Sequence, residues 1–203
     1  MTMMYYTLPG GEPIANLRTL LPHIINPERL SDDELVEHGI ARCAVTRPAL
    51  EWWQQQGARQ IDTSRVPHVV AWVVEDLSPE TAKELAWQRV KAERNERQSG
   101  LMPYLYPSGD THHNQMTDKV KSDLTASTTG AIALNAAGVV DPVMPWTVFE
   151  NITHMLTPAQ MIEFGVAALQ WRGAIHVQSQ VMRAAINAAQ TVADVVAAVQ
   201  WGE

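Results

Sequence analysis

Cysteine is nearly missing from this chain. Cys43 stands alone among 203 residues, so no internal disulfide can close and the fold must hold without cross-links, which fits assembly in a reducing cytosol. Charge is sparse as well, 18% of residues, summing to −7 at pH 7. The densest basic stretch, Arg89, Lys91, Arg94 and Arg97, is interleaved with Glu93 and Glu96. That pattern excludes a continuous positive face for a phosphate backbone, and no nucleic-acid partner is expected. No uninterrupted apolar run is long enough to span a bilayer, so no membrane insertion is expected. Met1 to Leu8 lack the cationic and apolar regions of a secretory leader, and a cytoplasmic product is expected. Gly and Pro are scattered rather than massed in a linker, and 46% of residues are hydrophobic, which excludes a disordered chain.

Catalytic patterns are equally scarce. No H-E-x-x-H, C-x-x-C, G-x-S-x-G or P-loop run occurs. Ser64, Ser108 and Ser127 have no neighbours that would activate them, and Cys43, within Ala41 to Val45, reads as a small buried strand residue. The Asp32-Asp33 pair is explained by a helix N-terminus, where negative charge is favourable. No catalytic residue, no cofactor and no enzyme activity are therefore expected. His112 and His113, with Asp110 nearby, form the one local cluster of metal-ligand types. They read first as a solvated turn. Adjacent histidines hold one ion only if the backbone turns and another chain or a distant residue completes the shell, as a ring on a trimer axis would. The remaining histidines, His23, His38, His68, His154 and His176, are scattered.

What is present is a run of element signals. Met3 to Leu8 carries Tyr5, Tyr6 and Thr7 and stops at Pro9, Gly10 and Gly11, a strand followed by a turn. Ser31-Asp32-Asp33-Glu34 has capping-box spacing, predicting a helix to about His38 that stops at Gly39, with a strand over Ile40 to Thr46. Val66 to Leu77 is β-branched and predicts a buried strand, with Ile61 to Ser64 placed beside it. Trp52 and Trp53 lie in the connection. The pair reads as structural, burying large area, whereas an exposed pair would mark a partner surface.

Ser78-Pro79 starts a helix to about Gln98, with Ala82, Leu85, Ala86 and Val90 as its apolar stripe and Glu93–Arg97 as an i,i+4 pair. Gly100 to Gly109 predicts an extended or hairpin element. A third helix covers Thr117 to Ala137 and ends at Gly138, with Val120, Leu124, Ala131 and Leu134 on one side; its small-residue middle permits close approach of a neighbouring helix. Trp146 to Leu156 predicts a hairpin bent at Glu150-Asn151. Thr157-Pro158-Ala159-Gln160 then caps a long helix to about Gln190. Along it Met161, Gly165, Ala168, Ile175, Met182, Ile186 and Ala189 recur at spacings of three, four and seven, a seam for helical partners in this chain or another. Thr191 to Trp201 predicts a closing helix. The fold class is α+β: a small N-terminal mixed α/β unit, residues 1–77, followed by a mostly helical domain with short β-hairpins, residues 78–203.

The segments WQRVKAERNER, PYLYPSGD, LTASTTGAIALNAAG, PWTVFENITHMLTPAQMIEFG and INAAQTVADVVAAVQW, with the lead-in VVAWVVEDLSPETAKE, together resemble a domain of unknown function from phage and prophage tail proteins. The resemblance covers about the last 120 residues. His112-His113 and Met144-Pro145 depart from its pattern. It brings no catalytic residues. It implies a virion structural protein of the tail, in a fibre, tail tip or baseplate, assembled in the host cytoplasm, with other phage tail proteins as partners and a homotrimer as the favoured oligomer. Met161, Ala168, Ile175, Met182 and Ile186, with Trp52 and Trp53, are the interface candidates. A non-virion chaperone of fibre assembly is the alternative. An enzyme of another class using a metal on His112 and His113 is the third reading.

Overall fold

Strand β1 (Thr2–Thr7) opens the computed structural model, which describes residues 2–8, 10–65 and 67–201. The chain divides into two compact units, one ending at Ser78 and the other beginning at Pro79. In the first, β1 is followed by α1 (Leu17–Leu20), a 3-10 turn at Pro27–Arg29, α2 (Asp32–Glu37), β2 (Ile40–Thr46), β3 (Gln54–Asp62) and β4 (His68–Asp76). The sheet order is β1-β2-β4-β3, with β2 parallel to β4 and both outer pairs antiparallel. Helix α2 begins at the expected capping box: the Ser31 hydroxyl accepts from the Glu34 amide at 3.3 Å, and the Glu34 carboxylate accepts from the Ser31 amide at 2.7 Å. It stops at Gly39, whose φ of 68° suits a residue without Cβ.

Because β2 is an inner strand, both of its faces are buried. Ala41 and Cys43 pack with Tyr6 and Val70, while Ile40 joins Leu17, Leu21 and Leu35. Burial pushes the Cys43 thiol above its ordinary pKa, which leaves it inert as a nucleophile. The sequence underestimates β3. Ile61 and Asp62 do pair with Val70 and Val69, but the strand reaches back to Gln54 through the polar run Gln-Gln-Gln-Gly-Ala-Arg-Gln. An edge strand needs few apolar residues, and pairing with β4 overrides its weak propensity. The turn expected at Pro9 and the strand start expected at Val66 fall outside the described residues.

The second unit runs α3 (Pro79–Ser99), β5 (Leu101–Leu105), β6 (Thr111–Gln115), α4 (Asp118–Ala136), β7 (Met144–Thr147), β8 (Thr153–Leu156), α5 (Pro158–Ala188) and α6 (Val192–Ala197). β5–β6 and β7–β8 are antiparallel hairpins. Helix α5 is the axis of this unit, 31 residues and about 46 Å long. Its Thr157 capping box is formed as expected. Its first half packs on α4, where the buried Leu124 and Ala131 meet Met161, Phe164 and Ala168. Its second half lies antiparallel to α3: Lys83 reaches the Asn187 carbonyl at 3.5 Å, and Gln98 donates to the Arg172 carbonyl at 3.1 Å. On α3 the buried row is Ala82, Ala86 and Val90, each four apart, so Leu85, expected in that stripe, sits at its margin and is exposed. Leu134 of α4 is exposed likewise. The Glu93–Arg97 ion pair forms at 2.7 Å. Among the described residues no helix is long and apolar enough to cross a membrane.

Candidate functional site

The two histidines singled out in the sequence do not share a turn. They are neighbours on β6, so their side chains leave opposite faces of the strand and cannot converge on one ion. His113 goes to Glu150: its Nδ1 lies 2.8 Å from Oε1, and its amide donates to both carboxylate oxygens at 3.1 Å. These bonds hold the Glu150 carboxyl below its ordinary pKa, the His113 side chain being the largest cause. His112 faces the other way, 5.1 Å from the His154 ring and 6.1 Å from Tyr106. Among the described residues no group of three or more His, Cys, Asp or Glu is placed to hold a metal. The reading of His112 and His113 as a solvated turn is corrected too, since pairing with β5 makes them strand.

On the same side of β6 as His112 stands Asn114, which sequence reasoning missed. It is buried, and its Oδ1 accepts from the Tyr106 hydroxyl and from the Trp146 indole, both at 2.9 Å. Its amide donates to the Met102 carbonyl at 3.5 Å. One side chain thus ties the β5–β6 hairpin to β7, and the Phe149 amide, donating to the His113 carbonyl at 2.9 Å, adds a second tie. Around it Tyr106 stacks on His154 at 3.9 Å, and Tyr104 and Trp146 lean on Phe164 of α5 at 4.8 and 5.3 Å. Burial raises the Tyr106 pKa. Burial also lowers that of His154, with repulsion from His112 adding and Asp110 opposing. The cluster is a joint between the hairpins and α5: Tyr106 and Trp146 both donate to Asn114, burial keeps the Tyr106 hydroxyl protonated, and the His154 ring stacks on Tyr106 with its Nε2 buried and without a hydrogen-bond partner. A lone Asn between His and Gln carries no local signal of such a role.

The interface candidates divide. Met161, Ala168, Met182 and Ile186 are buried and Ile175 is half-buried, so the seam read from the sequence is satisfied inside the chain by α4 and α3 and is corrected as an interchain surface. Trp52 and Trp53 are half-buried in the turn before β3, their rings edge to face at 5.4 Å. The open surface lies on the opposite side of α5. Val166, Gln170, Gly173, Val177, Val181, Ala184 and Ala188 recur at spacings of three and four, all exposed, with Leu169 on the flank. Val166 is 46% exposed, Leu169 71%, Val177 61% and Val181 65%. Between Glu163 and Arg183 only Arg172 carries a formal charge. The contrast with α3 is internal to the unit, because the solvent side of α3 carries Glu84, Arg89 and Glu96. The solvent side of α3 is charged, whereas that of α5 is apolar and nearly free of charge. The repeat of eleven from Val166 through Val177 to Ala188 keeps the stripe on one side of a nearly straight helix.

Residues 81–200 match the model of a family described as Domain of unknown function (DUF4376). No curated protein and no solved structure matches the chain.

Proposed function

The chain belongs to the family described as Domain of unknown function (DUF4376), and from that premise we propose that it is a structural protein of a bacteriophage tail, acting through protein–protein contact rather than catalysis. The observation that carries the assembly part is the exposed apolar stripe of α5, opposite a row already buried by α3 and α4. A helix buried along one side and apolar along the other has a core on the first and calls for a partner on the second. The partner is a second copy of the same stripe, in a homotrimer. Its small residues Gly173, Ala184 and Ala188 admit close helix approach, and a face without charge meets its own copy without repulsion. The tail assignment rests on the resemblance of the last 120 residues to phage and prophage tail proteins. Fibre, tail tip and baseplate are the places it fits.

The same apolar face would also serve a chaperone that holds a fibre during folding. Peptide mass spectrometry of purified particles from a phage or prophage encoding this chain separates the two. A structural component is present in finished particles in a fixed ratio to the other tail proteins. A chaperone is absent from them and raises fibre solubility on co-expression. Absence from particles overturns the structural reading, and absence with no effect on any fibre overturns both.

A further inference from the structure

The exposed row on the outer side of α5 reads the same in both chain directions. From Val166 through Gln170, Gly173, Val177, Val181 and Ala184 to Ala188 the steps are four, three, four, four, three and four, a pattern symmetric about Val177. Two copies can therefore lie row on row in either orientation. Run antiparallel about Val177, Val166 faces Ala188 and Gly173 faces Val181, a large side chain against a small one each time, so the apolar part of the row packs well. Run parallel and in register, each residue meets its own copies. Spacing and size leave the orientation open.

One residue tells the two orientations apart. Gln170 is the only polar member of the row, and it is exposed in the single chain. Its amide carries two donors and an acceptor, which need partners once a second copy covers them. In the antiparallel pair Gln170 faces Ala184, whose methyl offers none. In a parallel trimer three Gln170 side chains meet around the axis, and each amide donates to the next and accepts from the one before. We propose that Gln170 sets the parallel orientation and register of the α5 assembly, by making the antiparallel pair bury an amide without a partner. The inference rests on the assembly through α5 proposed above and adds the residue that decides its orientation. An apolar side chain fits the same place in the row, since eleven residues on, in the second repeat, stands Val181. The amide therefore serves specificity rather than packing.

Full-length chains carrying Val166→Cys and chains carrying Ala188→Cys, each with its own tag, are co-expressed and oxidised, and the linked pairs are identified by mass spectrometry. Cys43 is buried and takes no part. A parallel assembly links like chains to like, whereas an antiparallel one links the two types to each other. With Gln170 in place, links between like chains are expected. With Gln170→Val in both chains, links between unlike chains are expected to rise at least roughly tenfold, the factor carried by one unpartnered buried amide, and dimers to appear beside trimers in light scattering. Gln170→Asn keeps the amide and is expected to keep the like-to-like pattern. Because Gln170 is exposed, circular dichroism is expected to be the same for all three. Unlike links that dominate with Gln170 in place overturn the proposal, as does an Asn variant that behaves like the Val variant. A wild-type monomer in light scattering overturns the assembly reading and this inference with it. A trimer whose orientation Gln170→Val leaves unmoved overturns this inference alone.

Discussion

Replacing Asn114 by Leu removes one acceptor and strands two buried donors, the Tyr106 hydroxyl and the Trp146 indole. Leaving a buried donor unpaired costs about 1–3 kcal/mol, so with two donors stranded Asn114→Leu is expected to lower stability by about 2–6 kcal/mol in urea unfolding, more than the polar content of one side chain suggests. Titration acts at the same joint. His154 has a pKa below its ordinary value of 6.5, chiefly through burial, so as pH falls the unfolded chain binds this proton first. The stability the neutral ring supplies is fully present above 6.5 and is lost as pH falls through the folded value. Glu150 obeys the same rule lower down: it is held below the ordinary 4.5 by His113, and its contribution is present above 4.5 and lost as pH falls through its folded value. Melting temperature is therefore expected to fall in two steps on acidification. Glu28, Glu34, Asp62 and Asp194 are also held below their ordinary values and share the lower step, so Glu150→Gln is expected to reduce that step and leave the upper one in place; a lower step unaffected by that change would contradict the assignment. None of this joint was legible beforehand, because a buried Asn becomes a hub only when two hairpins distant in sequence meet at it.

Elements were far easier to foresee than their surroundings. Ser31 and Thr157 announced their helices because capping is local chemistry, complete within four residues, and Ile40–Thr46 is found with the bounds read from its composition. Edge strand β3 escaped because its pairing is decided by β4. The seam on α5 was read with the right period, and of its two open readings the structure shows the one within the chain, since a helix apolar nearly all round gives the same spacing for its inner and outer rows, and only packing tells them apart. Two glycines of that helix test the packing directly. A Cβ on Gly165 would stand 2.4 Å from the Thr128 Oγ1 and 2.9 Å from its Cγ2, so the whole threonine must move. A Cβ on Gly173 meets nothing within 4 Å. Gly165→Ala is expected to destabilise by about 1–3 kcal/mol through overpacking, against a gain of up to about 1 kcal/mol in helix propensity. Gly173→Ala keeps that gain alone within one chain, so both changes are compared in the Val177→Lys/Val181→Lys background, where the outer face of α5 holds no partner. Opposite signs in thermal unfolding are the expected outcome, and stabilisation by both would refute the close α4–α5 contact.

At the scale of the whole molecule, charge is distributed by element rather than evenly. The run 124–140, which covers the second half of α4 and the four residues after it, carries no Asp, Glu, Lys or Arg, and 164–182 on α5 carries only Arg172, while α3 is dense in both signs. A chain with net charge −7 that keeps its longest helix neutral on the outside has its repulsion elsewhere and a surface free for association. The most direct test is light scattering coupled to size exclusion, on the wild-type chain and on Val177→Lys/Val181→Lys, two positions 61% and 65% exposed. The wild type is expected to run as a homotrimer and the double variant as a monomer with the same helical content by circular dichroism. A wild-type monomer, or a double variant that keeps the wild-type mass, would contradict assembly through the outer face of α5.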